Sequence, residues 1–293
     1  MTLLSDLQVR DPFLVTCHED HLYRLYVANT EKRSVDCWRS SDLEHFEGPY
    51  PVFRIIPGFS HEDATQIWAP EVHFFEGKWY LFVTMGKEQY LMRSTWIFRA
   101  ESPEGPFLRF TDAPVTPKEW MCLDGTLHVD KLGNPHLVFC HEWVQISNGE
   151  ICAQPLKPDL SGPSGRPRLL FCGSEAAWIP ATRWDEKTVC ASSGFPRFIT
   201  DGPFLWHGAR SGNLFMIWST LDEQNGQTYT LGLAKSSNED LYGEWCQCKT
   251  PLVNTDGGHG MLFRNFSGQL LLAFHQPNKG AVQRVHFLPM PEM

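Results

Sequence analysis

A short acidic or small-residue motif opens a strand-like run five times along this chain, and no other feature constrains the fold more. Each motif is followed by an apolar strand, a glycine turn and a second apolar strand. The motifs begin near residues 11, 71, 124, 201 and 256, so the separations are 60, 53, 77 and 55 residues. Periods of about 40–55 residues with four strands each are typical of a β-propeller. We therefore predict an all-β, single-domain, five-bladed β-propeller over residues 1–293.

The strand signal is strongest in five runs of large apolar, β-branched and aromatic residues. Helical periodicity is nearly absent, with only short candidates at 175–178 and 184–187. The last repeat is short, and we expect residues 1–10 to supply a strand that closes the ring. Most phenylalanines and tryptophans of these runs are expected to pack between blades. The five runs are LYRLYVAN (22–29), WYLFVTM (79–85), HLVFC (136–140), LFMIWST (214–220) and LLLAFHQ (270–276).

Charge and cysteine usage narrow the class of protein. A net charge of -9 and a pI near 5.7 argue against nucleic acid as a partner, since phosphate binding needs a basic face. No apolar run approaches the roughly 18 residues of a membrane span. The nine cysteines form no CxxC pair, and the chain shows no signal-peptide pattern at its start. We therefore expect a cytoplasmic protein with free thiols and no membrane partner. The sequence does not predict an oligomeric state.

Two rings of residues are expected to meet at one mouth of the propeller. The first strand of each blade lines the axis, and the second strand ends on the same face. Carboxylates crowded there repel one another, which raises some pKa values and suits general acid–base chemistry. The first ring contains Asp11, Glu71, Asp124, Asp201 and either Asp256 or His259. The second contains Asn29, Met85, His141-Glu142-Trp143, Ser219 and His275-Gln276.

The longer segments that contain the five motifs can be compared with the motifs of known protein families. They are RDPF (10–13), WAPEVHFFEGKWYLF (68–82), LDGTLHVDKLGNPHLVF (123–139), DGPFLWHGARSGNLFMIWS (201–219) and GGHGMLF (257–263). Any one alone is weak, because Asp-Pro and Asp-Gly are ordinary turn dipeptides. All five in order at propeller spacing resemble glycoside hydrolase family 43 over essentially the whole chain.

The resemblance implies hydrolysis with inversion, in which one carboxylate activates water and one carboxylic acid protonates the leaving oxygen. Asp11 resembles the family's base, and Asp124 resembles the carboxylate that orients the acid. The family's acid is a Glu before Gly-Pro in the fourth blade, where this chain has the shorter Asp201. The acid is therefore either Asp201 or Glu142, which follows the second strand of blade three between apolar neighbours. Glu150 is a weaker third candidate.

The remaining candidate residues concern substrate and ions. Trp68 and Trp143 are candidates for stacking on sugar rings, and core packing is the alternative for Trp68. His259 resembles the family's axial histidine, which holds a water molecule or a structural calcium ion. Catalysis is expected to need no cofactor, since HExxH, GxGxxG and GxxxxGK[ST] motifs are all absent from the sequence. The candidates for contacts with substrate hydroxyl groups are His141, His275 and Gln276.

The family resemblance also implies an oligosaccharide substrate. The expected reaction is exo-hydrolysis of terminal arabinofuranosyl or xylosyl residues of plant-derived oligosaccharides, with galactofuranosyl residues as a further option. The alternative is a glycan-binding propeller that has lost hydrolysis, because Asp201 stands where the family has its acid Glu.

Overall fold

Five antiparallel sheets surround one axis in the computed structural model and form a five-bladed β-propeller. The structure describes residues 1–55, 64–87, 92–176, 178–179, 197–222, 228–279 and 282–292. This confirms the predicted all-β fold class. The short helix candidate at 184–187 lies outside the described residues, whereas a single 3-10 turn spans Gly173–Glu175 in place of the candidate at 175–178. No helix in the described part of the chain is long and apolar enough to cross a membrane.

The strands of each blade follow in chain order. Blade 1 contains β1 (Thr2–Leu3), β2 (Phe13–Cys17), β3 (Leu22–Asn29), β4 (Ser34–Ser40) and β5 (His45–Arg54). Blade 2 contains β6 (Gln66–Phe75), β7 (Lys78–Gly86), β8 (Arg93–Ala100) and β9 (Leu108–Arg109). Blade 3 contains β10 (Cys122–Val129), β11 (Pro135–His141), β12 (Glu150–Pro155) and β13 (Arg168–Cys172), and helix α1 (Trp143–Ile146) follows β11. Blade 4 contains β14 (Asp201–His207), β15 (Leu214–Asp222), β16 (Thr228–Ser236) and β17 (Trp245–Gln247). Blade 5 contains β18 (Gly258–Arg264), β19 (Leu270–Gln276) and β20 (Arg284–Pro289).

The five predicted apolar runs are the second strands of the five blades. Every residue of β11 is buried, which explains why these runs read as continuous apolar stretches rather than as alternating patterns. Their side chains fill clusters that join neighbouring blades: one cluster joins blades 3 and 4, and another joins blades 4 and 5. The expected packing of aromatic residues between blades is thus confirmed, with Trp218 and Phe171 in edge contact at 5.4 Å between centroids.

One backbone feature recurs at the entrance of all five inner strands. A residue with positive φ stands at the same point of each blade, and in blades 2 to 5 the pairing register with the second strand shifts there. Such bulges redirect a side chain away from the ordinary alternation. The positions are Asp11, Ala69, Asp124, Gly202 and His259, with φ of 50°, 44°, 54°, 48° and 50°. Of the predicted first ring, Asp11, Asp124 and His259 stand at the bulge, whereas Glu71 lies two residues after the bulge of blade 2 and Asp201 one residue before that of blade 4.

The bulges also connect adjacent blades. The backbone N–H of Asp124 donates to Thr84 Oγ1 of blade 2 at 2.8 Å, and that of His259 donates to Ser219 Oγ of blade 4 at 2.8 Å. The N–H of Asp11 donates to His275 Nδ1 of blade 5 at 3.2 Å, across the closure of the ring. Polar side chains of the second strands thus hold the carboxyl-bearing turns of the next blade in place.

The ring closes differently from the sequence expectation. The only strand within residues 1–10 is β1, and it pairs with β5 at the outer edge of blade 1. Blade 5 keeps three strands, because residues 4–9 run beside β20 without forming a ladder. Their link to β20 consists of single bonds, including Val9 N–H to Gln283 O at 3.0 Å and Arg284 Nε to Ser5 O at 2.6 Å.

Close packing at the axis predicts a large effect for a small substitution. A methyl group at Gly258 would overlap the ring of Tyr229, which is 2% exposed and stacked on His275. We expect Gly258→Ala to lower the free energy of unfolding by about 1–3 kcal/mol, the range for overpacked cores. Urea unfolding measures it, with Leu132→Ala at an exposed turn as the control. An unchanged midpoint for Gly258→Ala would contradict the packing described.

Candidate active site

A cavity of about 600 Å³ opens where the inner strands begin. Its wall contains all four carboxyl residues predicted to be catalytic: Asp11, Asp124, Glu142 and Asp201. Residues that are 18 to 190 positions apart in sequence meet there, because each lies at the beginning of a first strand or at the end of a second strand, and both positions are on this face. The wall also holds Trp68, Trp143 and His259, as predicted from the sequence.

Asp11 is surrounded by basic groups. Its Oδ1 lies 3.3 Å from His259 Nδ1 and 3.3 Å from His275 Nδ1, and its Oδ2 lies 3.6 Å from Arg10 Nε. Burial raises the pKa of Asp11, but the charges of His259 and Arg10 outweigh it, so the net pKa lies below the usual value. Asp11 is therefore ionised at neutral pH, in the form that accepts a proton.

His275 lies behind Asp11 rather than in the cavity wall. Burial is the main reason that its pKa falls to about 4, so the imidazole is neutral at pH 7. Its Nδ1 accepts the Asp11 N–H, which leaves Nε2 as the donor toward Asn278 Oδ1 at 3.3 Å. His275 therefore positions the Asp11 backbone, and its side chain is fully buried.

Asp124 and Asp201 form the acidic part of the cluster. Asp124 Oδ2 accepts the Gly202 N–H at 2.9 Å and lies 3.8 Å from His259 Nδ1. Burial, then the charge of Asp11, raises the pKa of Asp124 well above its usual value. Asp201 Oδ2 accepts the Tyr229 hydroxyl at 3.1 Å. Burial, then the charge of Asp124, raises the pKa of Asp201 to about 8.

These carboxyl groups titrate as one coupled cluster. They cannot all ionise in a shared buried site, because like charges at short range oppose one another. Asp11 ionises first, since Arg10 and His259 stabilise its anion. A proton is then retained at neutral pH by Asp124 and Asp201. The site thus holds the ionised Asp11 and one proton that Asp124 and Asp201 share, so a carboxylate and a carboxylic acid are both present, as acid–base catalysis needs.

Glu142 occupies a separate part of the wall. It precedes α1, is 2% exposed, and its Oε1 contacts Arg93 Nη1. Burial raises the pKa of Glu142, and Arg93 opposes the rise without cancelling it. Arg93 also lies 5.1 Å from the ring of Trp68, so its guanidinium interacts with both Glu142 and Trp68.

Three residues predicted to touch substrate hydroxyl groups lie outside the cavity wall. His141 stacks on Trp120 at 4.2 Å, with Nδ1 at 3.0 Å from Glu150 Oε2 and Nε2 at 2.9 Å from Gln145 Oε1. Gln276 donates to the backbone oxygen and hydroxyl of Thr255. Both ring nitrogens of His141 and of His275 are engaged by neighbouring residues, and neither these histidines nor Gln276 lines the cavity, so the structure does not place the three side chains at the predicted sugar contacts. Glu150, bonded to His141, is likewise not in the wall.

The structure adds cavity residues that the sequence did not single out. Arg10 was part of a motif but had no role, and its Nη1 donates to Asn278 Oδ1 at 2.8 Å. Arg93 and Tyr229 belong to the third strands of blades 2 and 4, which the two predicted rings did not include. Because neighbouring strands of a blade are antiparallel, the third strand starts at the same face as the first, which brings these two residues to the cavity.

The axial histidine bears on the predicted ion. His259 Nδ1 faces the carboxyl groups of Asp11 and Asp124, so this nitrogen is already engaged. Within the described residues, no group of three or more His, Cys, Asp or Glu side chains could hold a metal ion. In the part of the chain that the structure describes, at most two such side chains could therefore contact a calcium ion, with water completing its coordination, and we assign no chemical step to such an ion.

A five-bladed propeller with several carboxyl groups in its axial cavity has the kind of site that acid–base hydrolysis of a glycosidic bond requires. The family model for glycosyl hydrolases family 43 matches residues 4–288, and the chain belongs to this family. The resemblance seen in the sequence motifs is thereby confirmed.

Solved structures agree with the family assignment. An endo-arabinase from Bacteroides thetaiotaomicron VPI-5482 is 34% identical, with a TM-score of 0.88 and coverage of 99% of this chain and 97% of that chain. A thermostable family-43 glycoside hydrolase is 19% identical at a TM-score of 0.75, covering 96% and 89%. An alpha-L-arabinofuranosidase from Lactobacillus brevis is 17% identical at a TM-score of 0.68, covering 96% and 90%. The latter two support the fold alone. A search of curated proteins found no significant match.

Proposed function

We propose that this protein hydrolyses arabinofuranosyl bonds of oligosaccharides with inversion, using Asp11 as the base and Asp201 as the acid. The observation that carries the proposal is the opposed ionisation of the two carboxyl groups in one cavity. Arg10 and His259 hold the pKa of Asp11 down against burial, whereas burial and Asp124 raise the pKa of Asp201 to about 8. Enzymes separate acid from base in this way.

The reaction follows from these states. The Asp11 carboxylate removes a proton from a water molecule, whose oxygen attacks the anomeric carbon. Asp201 donates its proton to the glycosidic oxygen, and the bond between that oxygen and the anomeric carbon breaks. Asp124 acts as a positioning residue, because it accepts the N–H of Gly202 next to Asp201 and its charge raises the pKa of the acid. The Tyr229 hydroxyl fixes Asp201 Oδ2.

In this proposal Asp201 takes the role that the family's glutamate has before Gly-Pro in the fourth blade. Its shorter side chain starts one residue before the bulge at Gly202, with Tyr229 hydrogen-bonded to its carboxyl group. Burial also raises the pKa of Glu142, the other candidate for the acid, but Arg93 opposes this rise and already occupies one oxygen of its carboxyl group. The acid role is therefore assigned to Asp201 in this proposal.

The arabinofuranosyl substrate class is supported by likeness to known proteins. The solved structure that is 34% identical to this chain is that of an endo-arabinase. Trp68 and Trp143 line the cavity and offer apolar faces to sugar rings. We keep the exo mode expected from the sequence. We also keep the cytoplasmic location as a proposal, which the eight free cysteines of the described residues support.

A substrate panel tests the proposal. Purified protein is assayed on 4-nitrophenyl α-L-arabinofuranoside, β-D-xyloside and β-D-galactofuranoside and on linear arabino-oligosaccharides, with Asp11→Asn as the blank. We expect kcat/KM to be highest on the arabinofuranoside, and arabinose to be the first product of the oligosaccharides. Release of internal fragments first would replace the exo mode by an endo mode. Binding of arabino-oligosaccharides without turnover of any glycoside would favour the glycan-binding alternative and overturn the proposal.

Replacing Asp124 by Asn is expected to move the alkaline limb of the pH–rate profile to lower pH. The acid must be protonated, so the wild-type rate falls as pH rises through the Asp201 pKa of about 8. Asparagine keeps an acceptor for the Gly202 N–H but removes the charge that raises this pKa. The profile of kcat/KM measures the shift, with the exposed Asp112→Asn as the control. An unmoved limb would show that Asp124 does not tune the acid.

A further inference from the structure

The Glu142 carboxyl group has one satisfied and one unsatisfied oxygen. Oε1 contacts Arg93, whereas Oε2 has no hydrogen-bond partner among the described residues, although the side chain is only 3% exposed. A buried carboxylate oxygen without a donor is costly, so native proteins rarely leave one without a partner. Both residues line the cavity, where a ligand hydroxyl group can supply the missing donor.

The backbone holds Glu142 in this place. Its N–H donates to Met121 O at 2.8 Å, and its carbonyl oxygen accepts the N–H groups of Gln145 and Ile146 at 2.9 and 3.3 Å. These bonds fix the start of α1 and with it the direction of the Glu142 side chain. The carboxyl group is thus a preformed acceptor whose position does not depend on a bound ligand.

Arg93 holds the same carboxyl group from the other side. Its guanidinium lies between Glu142 and the ring of Trp68, 5.1 Å from the latter, so one cation links two residues of the wall. A fixed hydrogen-bond acceptor beside an aromatic face suits a sugar, because its hydroxyl groups and its apolar ring face require different partners.

We propose that Glu142 is a specificity-determining residue: its Oε2 accepts a hydrogen bond from one hydroxyl group of the furanosyl unit bound beside Asp11 and Asp201. Arg93 keeps the carboxylate in position, and Trp68 packs against the same ligand. This inference rests on the proposed function, since it assigns Glu142 a binding role in the same reaction. The residue selects among sugars through a hydroxyl group and does not transfer a proton.

Glu142→Gln with deoxy substrates tests the inference. We expect kcat/KM on the 4-nitrophenyl α-L-arabinofuranoside to fall by about 10- to 100-fold, the range for a hydrogen bond to a charged group. Among the 2-, 3- and 5-deoxy analogues, one should lower the wild-type rate by a similar factor and lower the variant's rate no further. If each of the three analogues lowered the variant's rate by the same factor as the wild-type rate, the proposed hydrogen bond would be overturned.

Leaving-group dependence separates binding from acid catalysis. For a binding residue, phenyl and nitrophenyl arabinofuranosides lose the same factor in Glu142→Gln, and the alkaline limb stays near the wild-type position. A loss confined to the poorer phenyl leaving group, together with a missing alkaline limb, would make Glu142 the acid and overturn the inference. Glu104→Gln is the matched control, because Glu104 pairs with Arg24 at 2.8 Å outside this cavity.

A binding measurement distinguishes this inference from the proposed function. Calorimetric titration of the catalytically blank Asp11→Asn protein with arabinotriose should show weaker binding when Glu142→Gln is added. If the wild type lacks turnover but this difference in affinity remains, the proposed function fails and the sugar contact stands. Equal affinity of both proteins would overturn the inference whether or not the wild type is active.

Discussion

Asp11→Asn is expected to lower kcat by about 10²- to 10⁴-fold with little change in KM. General base catalysis contributes this range, and asparagine matches the shape of aspartate but cannot accept the proton of the attacking water. The backbone of residue 11 should stay in place, since its N–H bond to His275 does not use the carboxyl group. Steady-state kinetics on 4-nitrophenyl α-L-arabinofuranoside measure the effect.

The Asp11 comparison needs a control for folding and for charge. Asp112→Asn removes a fully exposed carboxylate and should retain wild-type kcat. A loss of less than about tenfold in Asp11→Asn, with native thermal unfolding, would show that another group activates the water. We would then look to the other carboxyl groups of the wall.

Asp201→Asn is expected to lower the rate strongly for substrates with a poor leaving group and only slightly for those with a good one. Phenyl arabinofuranoside should lose about 10²- to 10⁴-fold in kcat/KM, because its oxygen leaves poorly without a proton. A 2,4-dinitrophenyl arabinofuranoside should keep a rate near that of the wild type, because its leaving group needs no proton. The alkaline limb near pH 8 should also disappear, since it reports the ionisation of Asp201.

A matching experiment with Asp201→Glu tests the effect of having aspartate where family 43 has glutamate. Glutamate restores the residue expected from family 43 but adds one methylene, which shifts the carboxyl group away from its hydrogen bond with Tyr229. We expect partial activity with a retained alkaline limb. Uniform losses for all leaving groups in Asp201→Asn would contradict an acid role, and a leaving-group effect in Glu142→Gln would transfer that role to Glu142.

Much of the fold could be predicted because local patterns determine it. Second strands such as β11 are buried along their whole length, so they appear in the sequence as uninterrupted apolar runs. The recurring turns contain glycines with positive φ, such as Gly133 at 85°, where other residues are strained. Closure of the ring could not be predicted in the same way. Two sheet edges were open to β1, and it pairs with β5 of blade 1 rather than with β20 of blade 5.

The carboxyl residues of the site could be predicted from the sequence, whereas the residues that contact them could be predicted less well. Asp11 and Asp124 precede proline or glycine at each blade entrance, which marks them in sequence. Arg93 and Tyr229 carry no such mark, because they lie at the start of third strands, where no proline or glycine motif singles them out in the sequence. His141 was misassigned since its position at a strand end does not reveal that Glu150 and Gln145 engage its ring.

The stereochemistry of wild-type hydrolysis tests the central claim most directly. A proton NMR time course with a linear α-L-arabino-oligosaccharide identifies the anomer released before mutarotation equilibrates it. An ionised Asp11 that activates water opposite a protonated Asp201 predicts β-L-arabinofuranose as the first product. Initial release of the α anomer, or no hydrolysis at all, would contradict the inverting acid–base pair proposed for this cavity.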